Sequence, residues 1–383
     1  MDRLRLFYPL SSPDRALSHG DKMNKKTIAI IISALLFVTV FSAIAVHNFG
    51  NRGGGEDETI TITDMLGEEV KVPKDPKKVA CVSRMTFDLL VALGLGDVID
   101  GAYYSVYNNG WVSEIYPQSQ DQYRYAYVES YETFYSRGVD LIFSPEKYIT
   151  DDLRSHGLTA INISLYGNPN FDADVFYFVD LIEKLWGNRE GVSEKVDSWK
   201  EQFNEAVTTI TSELSKHDDP MRTVYYIRGD KNNGVCYTES GMSFTEYAYR
   251  TLGCDDVSVS FGTTTPSVEE ICGVDPDVIV IGGVYQNTLK NVLYTEEPWK
   301  NLSAVKLGDV YGIPVGLTMF EQMSAMAYLF LYDQANKLYP EYFNFDMSTM
   351  LKNAFSEFYN YDLTDEQAYY ILHGLGVDGE AMA

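Results

Sequence analysis

"SYETFYSRGVDLIFSP" at 130–145 and "SVEEICGVDPDVIVIGG" at 267–283 follow one pattern twice, without a gap. Ser130 answers to Ser267, Glu132 to Glu269 and Asp140 to Asp277, all at the same spacing. Phe134 pairs with Ile271, and Leu141-Ile142-Phe143 with Val278-Ile279-Val280, in that same register. Each copy reads as Ser-x-Glu opening a short helix, then an aspartate, then an unbroken apolar run of the kind a buried parallel strand requires. A serine at the helix start accepts hydrogen bonds from N–H groups that have no helical partner, and Ser267-x-x-Glu270 completes a capping box. Glu132 and Glu269 then sit two residues in, where the helix dipole favours a carboxylate. Helix stabilisation alone would account for them.

Around the first copy, strand and helix signals alternate. "TITITDMLGEEVKVP" (59–73) alternates through Ile60 and Ile62, turns at Leu66-Gly67 and alternates again through Val70 and Val72, which predicts a β-hairpin. "KKVACVS" (77–83) is a short apolar strand, and "MTFDLLVALGLGDVIDG" (85–101) a helix ended by Gly94 and followed by another strand. The rhythm continues through 139–143 and 159–164, predicting a mostly parallel sheet covered by helices. From Ser193 to Lys216, Val196, Trp199, Phe203, Val207, Ile210 and Leu214 recur at intervals of three and four, the signature of one long amphipathic helix. "HDDPMR" (217–222) stops it, and "TVYYIRG" (223–229) opens a second α/β series with strands at 277–281 and 309–313. The repeat therefore has a cause: each lobe carries one copy, placed before a sheet strand.

The 383 residues exceed one ordinary core and fit two domains of roughly 150 residues each. A net charge of −25 excludes nucleic acid as a partner, because its phosphates would be repelled. Four cysteines, Cys81, Cys236, Cys254 and Cys272, show no CxxC spacing, so free thiols are expected, with a Cys254–Cys272 bridge left open. "MNKK" (23–26) precedes the uncharged apolar stretch Ile28 to Val46, which contains Ala43-Ile44-Ala45. This is an export signal by composition, and it is also long enough to stay as a membrane anchor; the two readings stand side by side. No cysteine follows that would take a lipid, and Met23 is an alternative start. The expected division is residues 1–47 as extension and signal, 48–58 as a Gly-rich tether, 59–192 as the first lobe and 193–217 as the interlobe helix. Residues 218–340 form the second lobe and 341–383 a helical extension, with Asp346, Ser348 or Thr364 available as helix caps.

Four stretches, in order, carry a family resemblance. "TDMLGEEVKVPKDPKKVACVSRMTFDLLVALGLGDVIDG" (63–101), "FVDLIEKLWGNREGVSEKVDSW" (178–199), "SVEEICGVDPDVIVIGG" and "PWKNLSAVKLGDVYGIP" (298–314) resemble the substrate-binding proteins of ABC importers for iron-siderophores, haem and cobalamin. The resemblance covers about residues 59–340. It implies an α/β fold of two Rossmann-like lobes joined by one long α-helix, with the ligand held in a cleft between them. It implies a monomer that is not an enzyme, has no catalytic residues and no cofactor of its own, and serves the transmembrane subunits of an ABC permease. Each lobe of such proteins docks onto the permease through one glutamate, and the matching residues here are Glu132 and Glu269. Exposed ion pairs give only about 0–1 kcal/mol each, so they would orient docking more than drive it.

Open α/β sheets hold ligands beyond the carboxyl ends of their strands. In the first lobe those loops carry Arg84, then Tyr103, Tyr104, Tyr107 and Trp111, then Lys147. In the second they carry Arg228 and Lys231, then Tyr285, then Glu321. Aromatic faces with a few cationic groups suit a large, planar or anionic chelate. Only His156, His217 and His373 follow the signal, widely scattered, so no bare-metal site is expected and a metal wrapped in an organic chelate fits better. Two other classes remain: a surface scavenger without an importer, and a chelatase-like enzyme, for which no G-x-S-x-G, HExxH, P-loop or dinucleotide fingerprint is present. The transport reading requires twin halves with separate cores and a gap between their facing loops.

Overall fold

The computed structural model describes residues 58–163, 175–230, 232, 234–239, 241 and 243–383. The export signal or anchor and the Gly-rich tether lie outside the described residues, apart from Glu58. No helix among the described residues is long and apolar enough to cross a membrane.

The chain opens with the hairpin β1 (Thr59–Thr63) and β2 (Glu69–Pro73), paired antiparallel. Its turn is held by Asp64, which accepts from the N–H groups of Leu66 and Glu68. The first lobe then runs β3 (Val79–Cys81), α1 (Arg84–Ala92), β4 (Ile99–Tyr103), α2 (Gly110–Ile115), β5 (Tyr123–Tyr125) and α3 (Tyr131–Arg137). It continues with β6 (Leu141–Ser144), α4 (Lys147–Ser155), β7 (Ala160–Asn162) and α5 (Tyr177–Trp186). The connector is α6 (Val192–Leu214), 23 residues long, and it buries Val192, Val196, Trp199, Phe203, Ala206 and Ile210 along one stripe.

The second lobe runs β8 (Thr223–Ile227), α7 (Phe244–Thr251), β9 (Asp255–Asp256), α8 (Val257–Ser260), α9 (Val268–Val274), β10 (Val278–Ile281) and α10 (Gln286–Thr295). Then come α11 (Ser303–Leu307), β11 (Val310–Gly312) and α12 (Ala327–Leu338), and the chain closes with α13 (Met347–Tyr359) and α14 (Asp365–Leu372). Asp346 caps α13, and Thr364 caps α14 with a full capping box.

The strand orders are β5-β4-β3-β6-β7 and β11-β10-β8-β9, every pairing parallel. Both sheets are doubly wound. The first reverses direction between β3 and β6, the second between β8 and β10. These reversals open a crevice at the carboxyl ends, because the loops on either side leave toward opposite faces. The two copies of the opening motif feed β6 and β10, the first strand laid down after each reversal.

The paired aspartates do one job in both lobes. Asp140 Oδ2 accepts from the backbone N–H groups of Lys77 and Lys78 at 2.9 Å, just ahead of β3. Asp277 Oδ2 accepts from the N–H and hydroxyl of Thr223 at 2.8 Å, at the start of β8. Each thus fixes the register between its own strand and the neighbour across the reversal. Phe134 and Ile271 are both buried beneath their sheets.

The period-2 alternation of the strands sends one face to each side. Tyr225, Ile227, Ile279 and Ile281 pack under α9 and α10 in one cluster, and Ala80, Val82, Ile142 and Phe134 form a second. The opposite faces, with Cys81, Phe143, Tyr226 and Val280, join α6, α12 and α13 in one continuous apolar cluster. This corrects the expectation of two separate cores and fails one condition set on the transport reading, which is left with two separate sheets, each with its own reversal and its own outer cluster. α6 and α12 are apolar toward both lobes, so they weld them: Trp199 Nε1 donates to Ala325 O at 2.8 Å, and Lys195 Nζ reaches the carbonyls of Ala92 and Phe358. The sheets themselves stay apart, with no strand paired across among the described residues.

Candidate functional site

A helix that leads into a parallel strand runs back along the sheet, so its first turn lies at the level of the strands' carboxyl ends. That places the starts of α3 and α9, and with them Glu132 and Glu269, on the side of the crevice. Both glutamates are exposed. At α9 the capping box is complete, with Ser267 Oγ accepting from Glu270 N–H and Glu270 accepting from Ser267 N–H at 2.7 Å. Glu270, not Glu269, does the capping, and no hydrogen bond or ion pair engages Glu269 among the described residues.

At α3 the expected cap is absent. Ser130 turns its hydroxyl to the Glu132 carboxylate instead of the helix N–H groups. That hydrogen bond holds the Glu132 carboxyl below its ordinary range. Just upstream, Glu129 accepts from Ala126 N–H, Ser130 N–H and the Thr133 hydroxyl.

The loops at the first reversal assemble a polar-aromatic face. Arg84, the first residue of α1, donates to Ser105 Oγ at 3.0 and 3.2 Å and places Nη1 3.6 Å from Met319 Sδ in the second lobe. Tyr103 packs its ring 4.8 Å from Tyr104 and 5.4 Å from Tyr127. Tyr127 donates to Glu146 Oε1 at 2.8 Å, and Tyr104 remains 49% exposed. Tyr127 was missed by the strand-end rule because the three-residue β5 before it was not recognised.

Across the crevice, the Arg228 guanidinium lies 5.6 Å from the Tyr237 ring, and Arg228 N–H donates to Tyr237 O. Glu321 is buried, accepting from Tyr226 OH at 3.2 Å and Gly283 N–H at 3.3 Å, with no partner for Oε2 among the described residues. Burial pushes its carboxyl up to about 7.

The remaining candidates have other duties. Trp111 is fully buried and donates Nε1–H to Leu375 O at 2.9 Å, so it faces the core and not the crevice. The Tyr107 hydroxyl is spent on the backbone, accepting from Ala102 N–H at 2.8 Å. Lys147 stands on the surface, paired with Asp151 at 3.0 Å and Glu68 at 3.6 Å. Tyr285 is half-buried against the second lobe's outer cluster at the start of α10. Lys231 lies outside the described residues.

No group of three or more His, Cys, Asp or Glu side chains suited to a metal ion occurs among the described residues. Each of the three histidines among the described residues stacks on a tyrosine instead: His156 on Tyr131, His217 on Tyr342 and His373 on Tyr369, with ring centres 3.7–3.9 Å apart. All four cysteines are free thiols, so Cys254 and Cys272 are not bridged. A cavity of about 610 Å³ lies at the amino ends of β3 and β4, away from the crevice. Its buried Asp100 is already paired with Arg137 at 2.6 Å and Lys78 at 3.3 Å, so its charges are satisfied from within.

No family model matches the chain, and no curated protein matches it in sequence. Solved structures do match in fold. A periplasmic solute-binding protein of Veillonella parvula is 19% identical, with a TM-score of 0.65 over 82% of this chain and 97% of its own. The molybdate periplasmic binding protein MolA of Haemophilus influenzae is 18% identical, with a TM-score of 0.66 over 80% and 99%. Helicobacter pylori CeuE, as a Ni-His complex, is 14% identical, with a TM-score of 0.65 over 82% and 99%. At these identities the likeness establishes the fold: this chain is built as the two-lobed periplasmic binding proteins are.

Proposed function

We propose that this protein works outside the cytoplasm as the substrate-binding component of an ABC importer, capturing a metal held in an organic chelate and presenting it to the permease. The observation that carries this reading is the placement of Glu132 and Glu269. They are exposed carboxylates at matched positions of two helices, one per lobe, on the side where the sheets' carboxyl ends open. Two such charges on separate lobes let a basic membrane partner register both halves at once.

Arg84, Tyr103, Tyr104 and Tyr127 on one side and Arg228 with Tyr237 on the other supply the ligand surface. Guanidinium groups among aromatic faces match a bulky chelate bearing acidic oxygens. Haem with its two carboxylates, cobalamin with its phosphodiester and ferric catecholates with their anionic oxygens each have that character. The fold relatives act as a guide to the class: MolA is a molybdate-binding protein and CeuE was captured with nickel and histidine. The absence of a clustered metal-ligand set among the described residues favours a cargo that brings its own ligands.

Absorbance and tryptophan-quenching titrations against ferric siderophores, haem and cobalamin test the cargo. Glu132→Ala with Glu269→Ala tests the partner: uptake should be lost while ligand affinity stays at the parent value. Retained uptake would leave a scavenger without an importer as the better reading, and loss of affinity would remove both residues from the docking role.

A further inference from the structure

The segment after α14 folds into a small hairpin. Leu375 bridges Ala381, Gly376 N–H donates to Glu380 O at 2.8 Å, and Gly379 closes the turn at φ 78, a conformation open mainly to glycine. This hairpin belongs to neither sheet; it touches the first lobe directly, and the residues flanking it, Ile371, Gly374 and Ala383, hold it to the second.

On the first lobe, Trp111 Nε1–H donates to Leu375 O at 2.9 Å. Val377 sits against Gly110, where a Cβ would come within 3.1 Å of its methyl group. On the second lobe, Gly374 backs onto the Gln286 side chain so closely that a Cβ would lie 2.9 Å from Nε2. Just before it, Ile371 O accepts from Val315 N–H at 2.9 Å. The residues that the hairpin and its flanks touch stand at carboxyl-end loops: Gly110 and Trp111 after β4, Gln286 after β10, Val315 after β11. Directly beside the hairpin the lobes also meet without it, as Asn109 Nδ2 donates to the carbonyls of Gly316 at 2.7 Å and Leu317 at 3.1 Å.

We infer that the Leu375–Ala381 hairpin is a strap that sets the separation of the two lobes at the mouth of the crevice. It is a further tether beside the covalent one through α6, the packing of α12 and the Asn109 contact. A rotation that parts the lobes must break the Trp111 bond and lift Val377 from Gly110, so ligand is taken up at a fixed lobe distance. This regulation of the site rests on the substrate-binding reading, but the strap is testable without any ligand.

The experiment measures the distance between exposed positions 136 and 307, one in each lobe, by electron–electron resonance. Labels are attached through non-native side chains in the full chain, so the four native thiols stay untouched. The parent should give one narrow distribution that ferric desferrioxamine, haem and cyanocobalamin leave in place. Val377→Asp, a change at an exposed position, and Trp111→Phe should each widen it. Each removes one attachment of the hairpin to the first lobe, so the population of parted lobes should rise roughly fivefold or more. Removal of residues 375–383 gives a third variant in which α14 remains.

Parent-like distances in any of these variants, with circular dichroism showing it folded, overturn the strap. A ligand-driven change in the parent as large as the variants' own does so too. Should none of the three chelates bind the parent, the cargo assignment falls while the distance result still decides the strap.

Discussion

Replacing Asp88 by asparagine isolates one buried charge at the point where first lobe, connector and closing helices meet. Asp88 on α1 is 1% exposed; its Oδ2 accepts from Ala325 N–H and its Oδ1 from Tyr359 OH, both at 2.7 Å. No cation pairs with it among the described residues, so burial dominates and pushes its carboxyl from 3.8 up to about 6, the two hydrogen bonds opposing that rise. A raised acid binds more protons folded than unfolded, so its contribution to stability is complete below about pH 4 and declines as pH rises through 6.

A shift of about two units corresponds to about 3 kcal/mol, of which roughly half falls between pH 5 and pH 8. Asparagine keeps an acceptor for Ala325 and cannot ionise. Urea unfolding of both proteins should therefore show the stability difference, parent minus variant, decreasing by about 1.4 kcal/mol from pH 5 to pH 8. Asp256 and Glu321, both raised to about 7, titrate in both proteins and cancel in that difference. A difference that stays flat across this window would refute the account of a buried, unpaired carboxylate.

Ser267→Ala should cost about 1 kcal/mol by urea unfolding, because it removes a working cap, whereas Ser130→Ala should stay within about 0.5 kcal/mol, because its hydroxyl serves Glu132. Equal costs would contradict the asymmetry between the two copies. Asp140→Ala and Asp277→Ala should each cost about 1–2 kcal/mol, because strand-start N–H groups then go without their acceptor. The double variant should equal their sum within about 0.5 kcal/mol, since the sites lie in different lobes, and marked non-additivity would show that the two clamps are coupled.

Much of the architecture was readable in advance because burial repeats at short range. The stripe of α6, the β1–β2 hairpin and the apolar runs of β6 and β10 are each written in consecutive residues. The matched Asp140 and Asp277 were visible as a pair, though their work on Lys77, Lys78 and Thr223 was not. Short β5 and β9 left too little pattern to detect, and Tyr127 was lost with β5. The strand-end rule located loops correctly but said nothing of side-chain direction, so it put Trp111 and Tyr107 among the ligand candidates along with Arg84.

From sequence alone came the alternation of strand and helix, the duplication and the long connector, since each follows from the period of the chain's own burial. Tertiary structure alone decided that the inner faces share one apolar cluster, that Trp111 answers to Leu375, and that Glu321 keeps one oxygen without a partner among the described residues. Those outcomes depend on groups up to hundreds of residues apart brought within 3–4 Å. No local periodicity encodes such a partner, because packing selects it only once both lobes and the closing helices are in place.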